Sequence, residues 1–392
     1  MSLLPPDLRS PSYRTGSLVD VMTMIANSLG SGQVGEPVAT ATWKWPQSSS
    51  AVLLLVDGLG ASSLDEHAHR APFLSALDGA GPDGSRSITA GFPTTTATSL
   101  GCLGVGAVPG QHGIVGYRVA IPGAGRLMSS LAWDAAVPPG QWQPLATVPE
   151  RAGIAGVQVV AVGPAKFADS GLNRAVLRGA PLSSAQTAEE LVRTAVALAN
   201  DAVAAGHARL TYVYWGGLDA AGHRYGVASS PWRQALAEAD RLARTIAGEL
   251  PAETDLYVTA DHGMVDVAER DRLDVADRPE LRAEVEMLGG EARARFVYAP
   301  SAALDRVRDT WRSVLGDRAV VLTRQQALAE GLFGPTWRSE VLDRIGDLVV
   351  VMRGAWSVVD SAAEPAELLR LVGVHGSLTA DELYVPLLHA RR

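Results

Sequence analysis

The chain has 392 residues, 47% of them apolar and 19% charged, which is typical of a globular protein with one large elaborated domain or two lobes. A net charge of −8 argues against nucleic acid as an electrostatically bound partner. The only cysteine, Cys102, excludes an internal disulfide and a Cys-based zinc site. Neither a signal peptide nor an apolar run of the roughly 20 residues that span a bilayer is recognisable. We therefore expect a cytoplasmic protein without a membrane partner.

Residues 1–50 are predicted to form an N-terminal arm with one helix, Leu18–Leu29, which Gly30 ends. The segment Gly30–Gly35, GSGQVG, formally matches a dinucleotide-binding fingerprint. It follows a helix rather than a strand, so we expect an ordinary loop. The chain contains no Gly-Lys pair and no G-x-S-x-G, which excludes a P-loop and the nucleophile elbow of serine hydrolases.

From residue 51 onward, apolar strand-like runs alternate with helical patterns. One helix is expected from the capping box that starts at Thr187 to Gly206, and another is expected to be capped by Ser230 with Pro231 in its first position. This alternation predicts an α/β fold with a mostly parallel central sheet flanked by helices. We assign residues 51–265 and 346–392 to this catalytic core. The predicted strands are Ala51–Val56, Val157–Val162, Leu210–Trp215 and Leu256–Thr259.

Residues 266–345 differ from the rest of the chain in their pattern of charged and apolar residues. A charge-rich stretch is followed by a strand-like run at Ala294–Ala299, a helix over Leu304–Leu315 and another strand-like run at Ala319–Leu322. This pattern predicts a small α+β insertion or lid. Apolar sequence then returns at Ile345–Met352, and we assign that run to the core.

Three aspartates follow predicted strands at or just beyond their ends: Asp57, Asp219 and Asp261. In an open α/β sheet this edge is where ligand-binding groups gather. Taken alone, Asp57 is as expected for a residue that only caps the next helix, which is a common role of an aspartate after an apolar strand. Asp219 and His223 share one face if they lie on a helical turn, whereas a loop with a solvent-exposed histidine is the alternative.

Asp261 is followed directly by His262, and adjacent residues of an extended chain point apart. Both can reach one metal ion only where the chain turns, which Gly263 would permit. His375 is either a further ligand or a buried structural histidine. Carboxylate and imidazole groups are suitable ligands for Zn²⁺, and Mn²⁺ is also accepted. We interpret the remaining histidines as surface or structural residues: His67, His69, His112, His207 and His389.

A run of three hydroxyl side chains, Thr94, Thr95 and Thr96, lies between the first and second aspartates. Such a run could extend a strand or cap the helix expected near Thr98. It could also supply a nucleophile, because a bound metal ion stabilises an alkoxide without a general base. At least two of the three threonines are expected to be structural.

Together, the motifs D-G-L-G, F-P-T-T-T, G-Q-H-G, D-x-x-x-H, A-D-H-G-M and G-x-H-G resemble those of the alkaline phosphatase superfamily. More narrowly, they are similar to its type I phosphodiesterase/nucleotide pyrophosphatase branch. The resemblance covers about residues 50–265 and 345–385. It implies that the nucleophile is Thr96, three residues after Pro93 and sixteen before His112.

The resemblance also implies two divalent metal ions, for which we expect Zn²⁺, with Mn²⁺ as the alternative. Thr96 would form a phosphothreonine intermediate that water then hydrolyses. One ion would be bound by Asp57, Thr96, Asp261 and His262, and the other by Asp219, His223 and His375.

One position departs from the family pattern. An asparagine is usual twenty-one residues after the nucleophile, where this chain has Tyr117, whose hydroxyl donates a hydrogen bond with a longer reach. Lys166 is a second candidate for substrate binding, or an ordinary loop lysine. We expect a phosphodiesterase or nucleotide pyrophosphatase that acts on a small phosphorylated substrate. The alternatives are a phosphomonoesterase or phosphonoacetate-type hydrolase, and a non-catalytic protein that binds phosphorylated ligands.

Overall fold

The computed structural model describes residues 2–30, 33–35, 43 and 45–391. Its strands, in chain order, are β1 (Ser50–Val56), β2 (Asp78–Gly79), β3 (Ser87–Thr89), β4 (Arg118–Ile121), β5 (Arg126–Ser129), β6 (Gln158–Gly163), β7 (Leu182–Ser184), β8 (Arg209–Trp215), β9 (Thr254–Thr259), β10 (Val265–Asp266), β11 (Arg272–Asp274), β12 (Met287–Glu291), β13 (Ala294–Tyr298), β14 (Ala319–Thr323), β15 (Leu348–Met352), β16 (Ser357–Val359), β17 (Gly373–Val374) and β18 (Tyr384–Arg391). The longer helices are α1 (Leu18–Leu29), α2 (Thr96–Val105), α3 (Ala188–Ala205), α4 (Gly217–Tyr225), α5 (Ser230–Glu249) and α6 (Leu304–Leu315). Shorter α-helices are Ala61–Glu66, Pro72–Ala76, Pro109–His112, Pro139–Trp142, Val148–Ile154, Gly171–Val176, Pro279–Arg282, Arg324–Ala329, Ser339–Leu342, Ala366–Leu369 and Ala380–Leu383. Single 3₁₀ turns lie at Ala68–Arg70, Pro82–Gly84, Ala165–Phe167, Glu269–Asp271, Val275–Asp277 and Gly316–Arg318.

The central sheet has the strand order β2-β18-β9-β1-β8-β6-β7, and β3 also pairs with β18. Strands β9, β1, β8, β6 and β7 run parallel, whereas β18 is antiparallel to β9. Every residue of β1 is buried, as expected for a strand covered on both faces. Helices α1 and α3 both pack against it. The predicted α/β fold with a mostly parallel, helix-flanked sheet is therefore confirmed.

The helix ends show how local chemistry sets the boundaries. Helix α1 has the predicted bounds, and the described part of the segment after it is loop; Ser31 and Gly32 of that segment lie outside the described residues. The predicted cap of α5 is wrong by one residue. Ser229, not Ser230, is the capping residue, because its backbone is extended and its side chain accepts a hydrogen bond from the Trp232 N–H at 3.2 Å.

A second, antiparallel sheet has the order β12-β13-β15-β14, and α6 packs on it. Trp311 of α6 is fully buried in an apolar cluster that belongs to this region. The strand Leu348–Met352, which the sequence assigned to the core, lies in this smaller sheet instead. The boundary predicted after residue 345 thus cuts through the sheet. An apolar run indicates that a strand is buried but not which sheet it joins.

The turn between β12 and β13 is joined to the central part of the molecule by an ion pair. Arg293 donates two hydrogen bonds, of 2.7 and 2.8 Å, to the carboxylate of Glu382. Both side chains are fully buried. Glu382 also accepts from the Ser377 N–H, so the pair holds the segment that follows His375. None of the helices in the described part of the chain has the length and apolar character required to cross a bilayer.

Candidate active site

The three predicted aspartates meet at the carboxyl edge of the central sheet. Asp57 follows β1, Asp261 lies just after β9, and Asp219 lies on α4 just after β8. The parallel register pairs Val56 with Trp215, so β1 and β8 end at the same level. This common edge is where a parallel sheet collects ligand-binding groups.

Asp57, Asp261 and His262 form the first group of candidate metal ligands, with one ligand atom of each lying within 4.8 Å of the others. Each carboxylate uses one oxygen for a protein hydrogen bond. The Tyr214 hydroxyl donates to Asp57 Oδ2 at 2.5 Å, and the Gly58 N–H donates to Asp261 Oδ1 at 3.1 Å. The other oxygens, Asp57 Oδ1 and Asp261 Oδ2, are buried without a hydrogen-bond partner among the described residues. They lie 3.5 and 3.6 Å from His262 Nε2.

Asp219, His223 and His375 form the second group, by the same distance criterion. Asp219 and His223 lie one turn apart on α4, so of the two arrangements considered from the sequence, a helical turn and a loop, the helical turn is present. Asp219 Oδ1 is 3.3 Å from His223 Nε2 and has no hydrogen-bond partner within the described ranges. The two groups adjoin, because the rings of His262 and His375 are stacked with centroids 3.6 Å apart.

All three histidines are oriented by backbone carbonyls. A carbonyl can only accept, so each Nδ1 carries a proton, and Nε2 is the nitrogen left to bind a metal ion. Metal-binding histidines in proteins are commonly fixed in this way. The Nδ1 contacts are His223 with Gly373 at 2.8 Å, His262 with Gly263 at 3.0 Å, and His375 with Thr94 at 2.8 Å.

Gly263 matters for a different reason from the one the sequence suggested. It is not among the residues in the left-handed region of backbone space. A Cβ added there would lie 1.8 Å from the Asp381 carbonyl oxygen. The close approach of these two segments, rather than a special turn, requires glycine beside His262.

The site concentrates negative charge away from water. Burial raises the pKa of Asp219 to about 7, with a further contribution from Asp57, and raises that of Asp261 to about 6, with a contribution from Asp219. Burial and the Asp261 charge hold the pKa of Asp57 well above its usual range. Burial, reinforced by the neighbouring histidines, holds the pKa of His375 well below its usual range. Bound cations would relieve the repulsion among the carboxylates and use the neutral histidines as ligands.

The three threonines have separate environments. Thr96 is the first residue of α2, and its hydroxyl is 3.2 Å from His262 Nε2, to which it can donate. Thr94 is buried: its hydroxyl donates to the Ser377 carbonyl and accepts from the Gly376 N–H. Thr95 is the buried residue preceding α2. Of the three hydroxyl groups, that of Thr96 contacts a candidate metal ligand.

A cavity of about 510 Å³ opens beside Thr96 and is also lined by Tyr117 and Lys166. Lys166 is exposed, and its Nζ lies 5.0 Å from the Phe167 ring centroid. A second lining cation, Arg295, is fully engaged by the Glu364 carboxylate and by a backbone carbonyl. Apolar side chains make up much of the remaining wall, including Leu100, Leu131, Val162, Leu172, Leu182 and Leu368.

The other histidines lie outside both ligand groups. His112 is fully buried, accepts a hydrogen bond from the Ile114 N–H at 3.0 Å and is 3.6 Å from Cys102 Sγ. Burial lowers the pKa of His112 to about 3, which fits a neutral structural residue. His389 bonds Asp255 at 2.7 Å, and His67 packs edge-on against Trp232.

Two residues of the site were not identified from the sequence. Tyr214 orients Asp57, and Glu291 accepts a hydrogen bond from the Tyr117 N–H at 3.1 Å while lining the cavity. The partners lie 157 and 174 residues apart. No local motif links them, although the tyrosine's place near the end of a predicted strand was a usable signal.

Comparison with known proteins places the chain in a family. A model of the type I phosphodiesterase/nucleotide pyrophosphatase family matches residues 51–378. No curated protein matches significantly in sequence. Murine ectonucleotide pyrophosphatase/phosphodiesterase 5 is similar in structure, with a TM-score of 0.64, 17% identity, and coverage of 86% of this chain and 87% of that one.

An inactive variant of the murine protein in complex with AMP gives a TM-score of 0.62 at 17% identity and the same coverage. Phosphonoacetate hydrolase from Sinorhizobium meliloti 1021, in complex with phosphonoformate, gives a TM-score of 0.64 at 18% identity and covers 89% of this chain and 91% of that one. At these identities the structural likeness shows a shared fold, and the assignment of phosphoric-ester hydrolysis rests on the family match. The chain belongs to the type I phosphodiesterase/nucleotide pyrophosphatase family and is a hydrolase of phosphoric esters.

Proposed function

We propose that the protein is a phosphodiesterase that uses Thr96 as its nucleophile and two divalent cations, Zn²⁺ or in its place Mn²⁺. The observation that carries this proposal is the set of three buried carboxylate oxygens, on Asp57, Asp219 and Asp261, that have no hydrogen-bond partner among the described residues. A buried unpaired carboxylate oxygen is costly unless it binds a cation. The donor set of carboxylates and neutral imidazoles suits Zn²⁺.

The residues present fit two ions. Asp57, Asp261, His262 and the Thr96 hydroxyl would hold one, and Asp219, His223 and His375 the other. When bound, such a pair neutralises the phosphoryl group and activates both attacking oxygens. The tautomers set by the backbone carbonyls leave each Nε2 free for this role.

Thr96 would begin the reaction. Its hydroxyl proton passes to solvent, Oγ1 forms a bond to phosphorus, and the ester P–O bond opposite breaks, so that the leaving oxygen takes up a proton from solvent and departs as an alcohol. Water then attacks the phosphothreonine, the Thr96–phosphorus bond breaks and a phosphomonoester leaves. The start of α2 supports the developing negative charge, because N–H groups at a helix N-terminus favour anions.

A diester fits the cavity better than a monoester. The apolar wall can receive a second ester group, and Lys166 is the lining cation for which the described residues provide no carboxylate partner. A monoester dianion benefits from additional positive charge, which this cavity supplies sparingly. A monoesterase or phosphonate hydrolase is the remaining alternative, whereas membership of the hydrolase family argues against a purely ligand-binding protein.

The experiment compares kcat/KM for bis(p-nitrophenyl) phosphate and p-nitrophenyl phosphate on zinc-loaded protein. We expect a higher value for the diester, and Lys166→Ala should change it little. If wild type clearly prefers the monoester, and Lys166→Ala loses its activity on the monoester, the monoesterase alternative is established. Total loss of turnover after chelation, with recovery on adding Zn²⁺ or Mn²⁺, is expected for either class.

The proposed partner is a small phosphorylated molecule, and the proposed location is the cytoplasm. The net charge of −8 supports the first proposal by disfavouring polyanionic partners. Cell fractionation with an antibody against the native protein tests the second. Recovery of the protein from the medium or a membrane fraction would contradict it.

A further inference from the structure

Glu291 is a buried carboxyl that the proposed reaction leaves without a role. It is the last residue of β12, is 8% exposed and lines the cavity that contains Thr96. Its Oε2 accepts from the Tyr117 N–H at 3.1 Å. Its Oε1 is buried without a partner in the described parts of the chain.

Its surroundings differ from those of the three aspartates. Glu291 belongs to neither group of candidate metal ligands found among the described residues. A Cβ built on Gly376 would lie 2.6 Å from Glu291 Cγ, so the side chain packs against the backbone directly after His375. This contact places the carboxyl at the border of the candidate site. The nearby cation Arg295 is already engaged by Glu364 and does not occupy Oε1.

We propose that Glu291 contacts the substrate, and that Oε1 of its neutral carboxyl donates a hydrogen bond to a non-bridging oxygen of the phosphoryl group at Thr96. An ionised carboxylate in this position would repel an anionic diester. A neutral carboxyl instead offers a hydrogen-bond donor, and a bond from Oε1 to the substrate would give this atom the partner that it lacks among the described residues. Burial also favours the neutral form by raising the pKa of Glu291 to about 8.

The inference rests on the proposed function and is tested with two variants of the full chain. In Glu291→Gln, the amide oxygen can accept from the Tyr117 N–H while the NH₂ group donates from the position of Oε1. Glu291→Met has a similar length but no donor. Glu286→Gln, an exposed carboxyl-to-amide change just before β12, is the matched control.

Calorimetric binding of inorganic phosphate to the zinc-loaded protein is the first measurement. We expect wild type, Glu291→Gln and Glu286→Gln to agree within about twofold, and Glu291→Met to bind about five- to tenfold more weakly, as for one lost hydrogen bond. Equal or tighter binding by Glu291→Met would overturn the inference, since removing a repelling carboxylate has that effect. A loss in Glu291→Gln as large as in Glu291→Met would overturn it too.

The second measurement separates contact from support of the Tyr117 backbone. A chiral p-nitrophenyl phosphorothioate diester carries sulfur at one or the other non-bridging position. Loss of a contact to one oxygen changes the ratio of the rates for the two diastereomers, whereas a merely structural role lowers both rates by the same factor and overturns the inference. If wild type binds phosphate as expected but does not hydrolyse diesters, the proposed function fails and the contact stands.

Discussion

Removing the hydroxyl that orients Asp57 should weaken metal binding without dismantling the site. In Tyr214→Phe, Asp57 Oδ2 loses the 2.5 Å hydrogen bond that it accepts in a buried position. A hydrogen bond to a charged group contributes about 1.5–3 kcal/mol, and losing such support to a metal ligand typically lowers metal affinity about 10–100-fold. We expect a loss of that size in Zn²⁺ affinity, with most activity returning at saturating Zn²⁺.

Tyr212→Phe is the matched control. Tyr212 lies two residues earlier on β8, is also buried, and its hydroxyl has no hydrogen-bond partner among the described residues. Competition of each variant against a chromophoric chelator gives the Zn²⁺ dissociation constants. If Tyr214→Phe retains wild-type affinity, or if Tyr212→Phe loses as much, then Asp57 is not positioned by Tyr214 and the assignment of its free oxygen to a metal loses its support.

Three further predictions follow from the same contacts. Thr96→Ala should abolish hydrolysis. Thr94→Ala should keep the nucleophile but lower the free energy of unfolding by about 1–3 kcal/mol, because the Ser377 carbonyl and the Gly376 N–H, both buried, lose their hydrogen-bond partner. Detection of phosphate on Thr94 in a trapped intermediate would contradict this prediction. In the metal-free protein, Asp219 and Asp261 should contribute stability that is lost as the pH rises from about 4 to about 7, because their folded-state pKa values (about 7 and about 6) lie above their unfolded values and the unfolded chain releases those protons first. The buried histidines His112 and His375, whose pKa values are lowered, act in the opposite direction, so the test is the difference in thermal melts between wild type and Asp219→Asn. The stability of wild type relative to Asp219→Asn should fall between about pH 4 and 8, saturating Zn²⁺ should remove this fall, and a constant difference would contradict it. Tyr117→Phe should reduce kcat/KM for the diester by a factor equivalent to about 1–2 kcal/mol, and an unchanged value would mean that its hydroxyl does not touch the substrate.

The sequence predicts the framework well because its signals are local. Strands buried on both faces read as continuous apolar runs, and the residues just beyond their ends are those that a parallel sheet brings together. Helix α6 has the predicted bounds because its apolar residues, Trp311 among them, recur at helical spacing. Asp57 and Asp219 both follow predicted strands, and for this reason the sequence placed them at one edge of the sheet.

What the sequence could not provide depends on pairings between distant segments. Whether Leu348–Met352 joins the central or the smaller sheet is decided by its antiparallel partners β13 and β14. The contacts of Tyr214 and Glu291 likewise depend on how separate elements pack. The spacing of the threonines did not show which hydroxyls are buried; Thr94 is held by Ser377, far along the chain.

The buried pair of Arg293 and Glu382 bears on how this enzyme could be re-engineered. Removing one partner of a fully buried ion pair typically costs about 3–5 kcal/mol, because the other charge remains uncompensated. Transplanting the region around β12 and β13 from a relative that lacks the arginine would therefore leave Glu382 unmatched and disturb the segment that carries His375. Moving the turn between β12 and β13 away from the central sheet would separate the same ion pair at a similar cost. This region is therefore better suited to form a rigid wall of the cavity than a mobile lid. Substrate range should therefore change more readily through single side chains of the apolar wall than through exchange of the whole region.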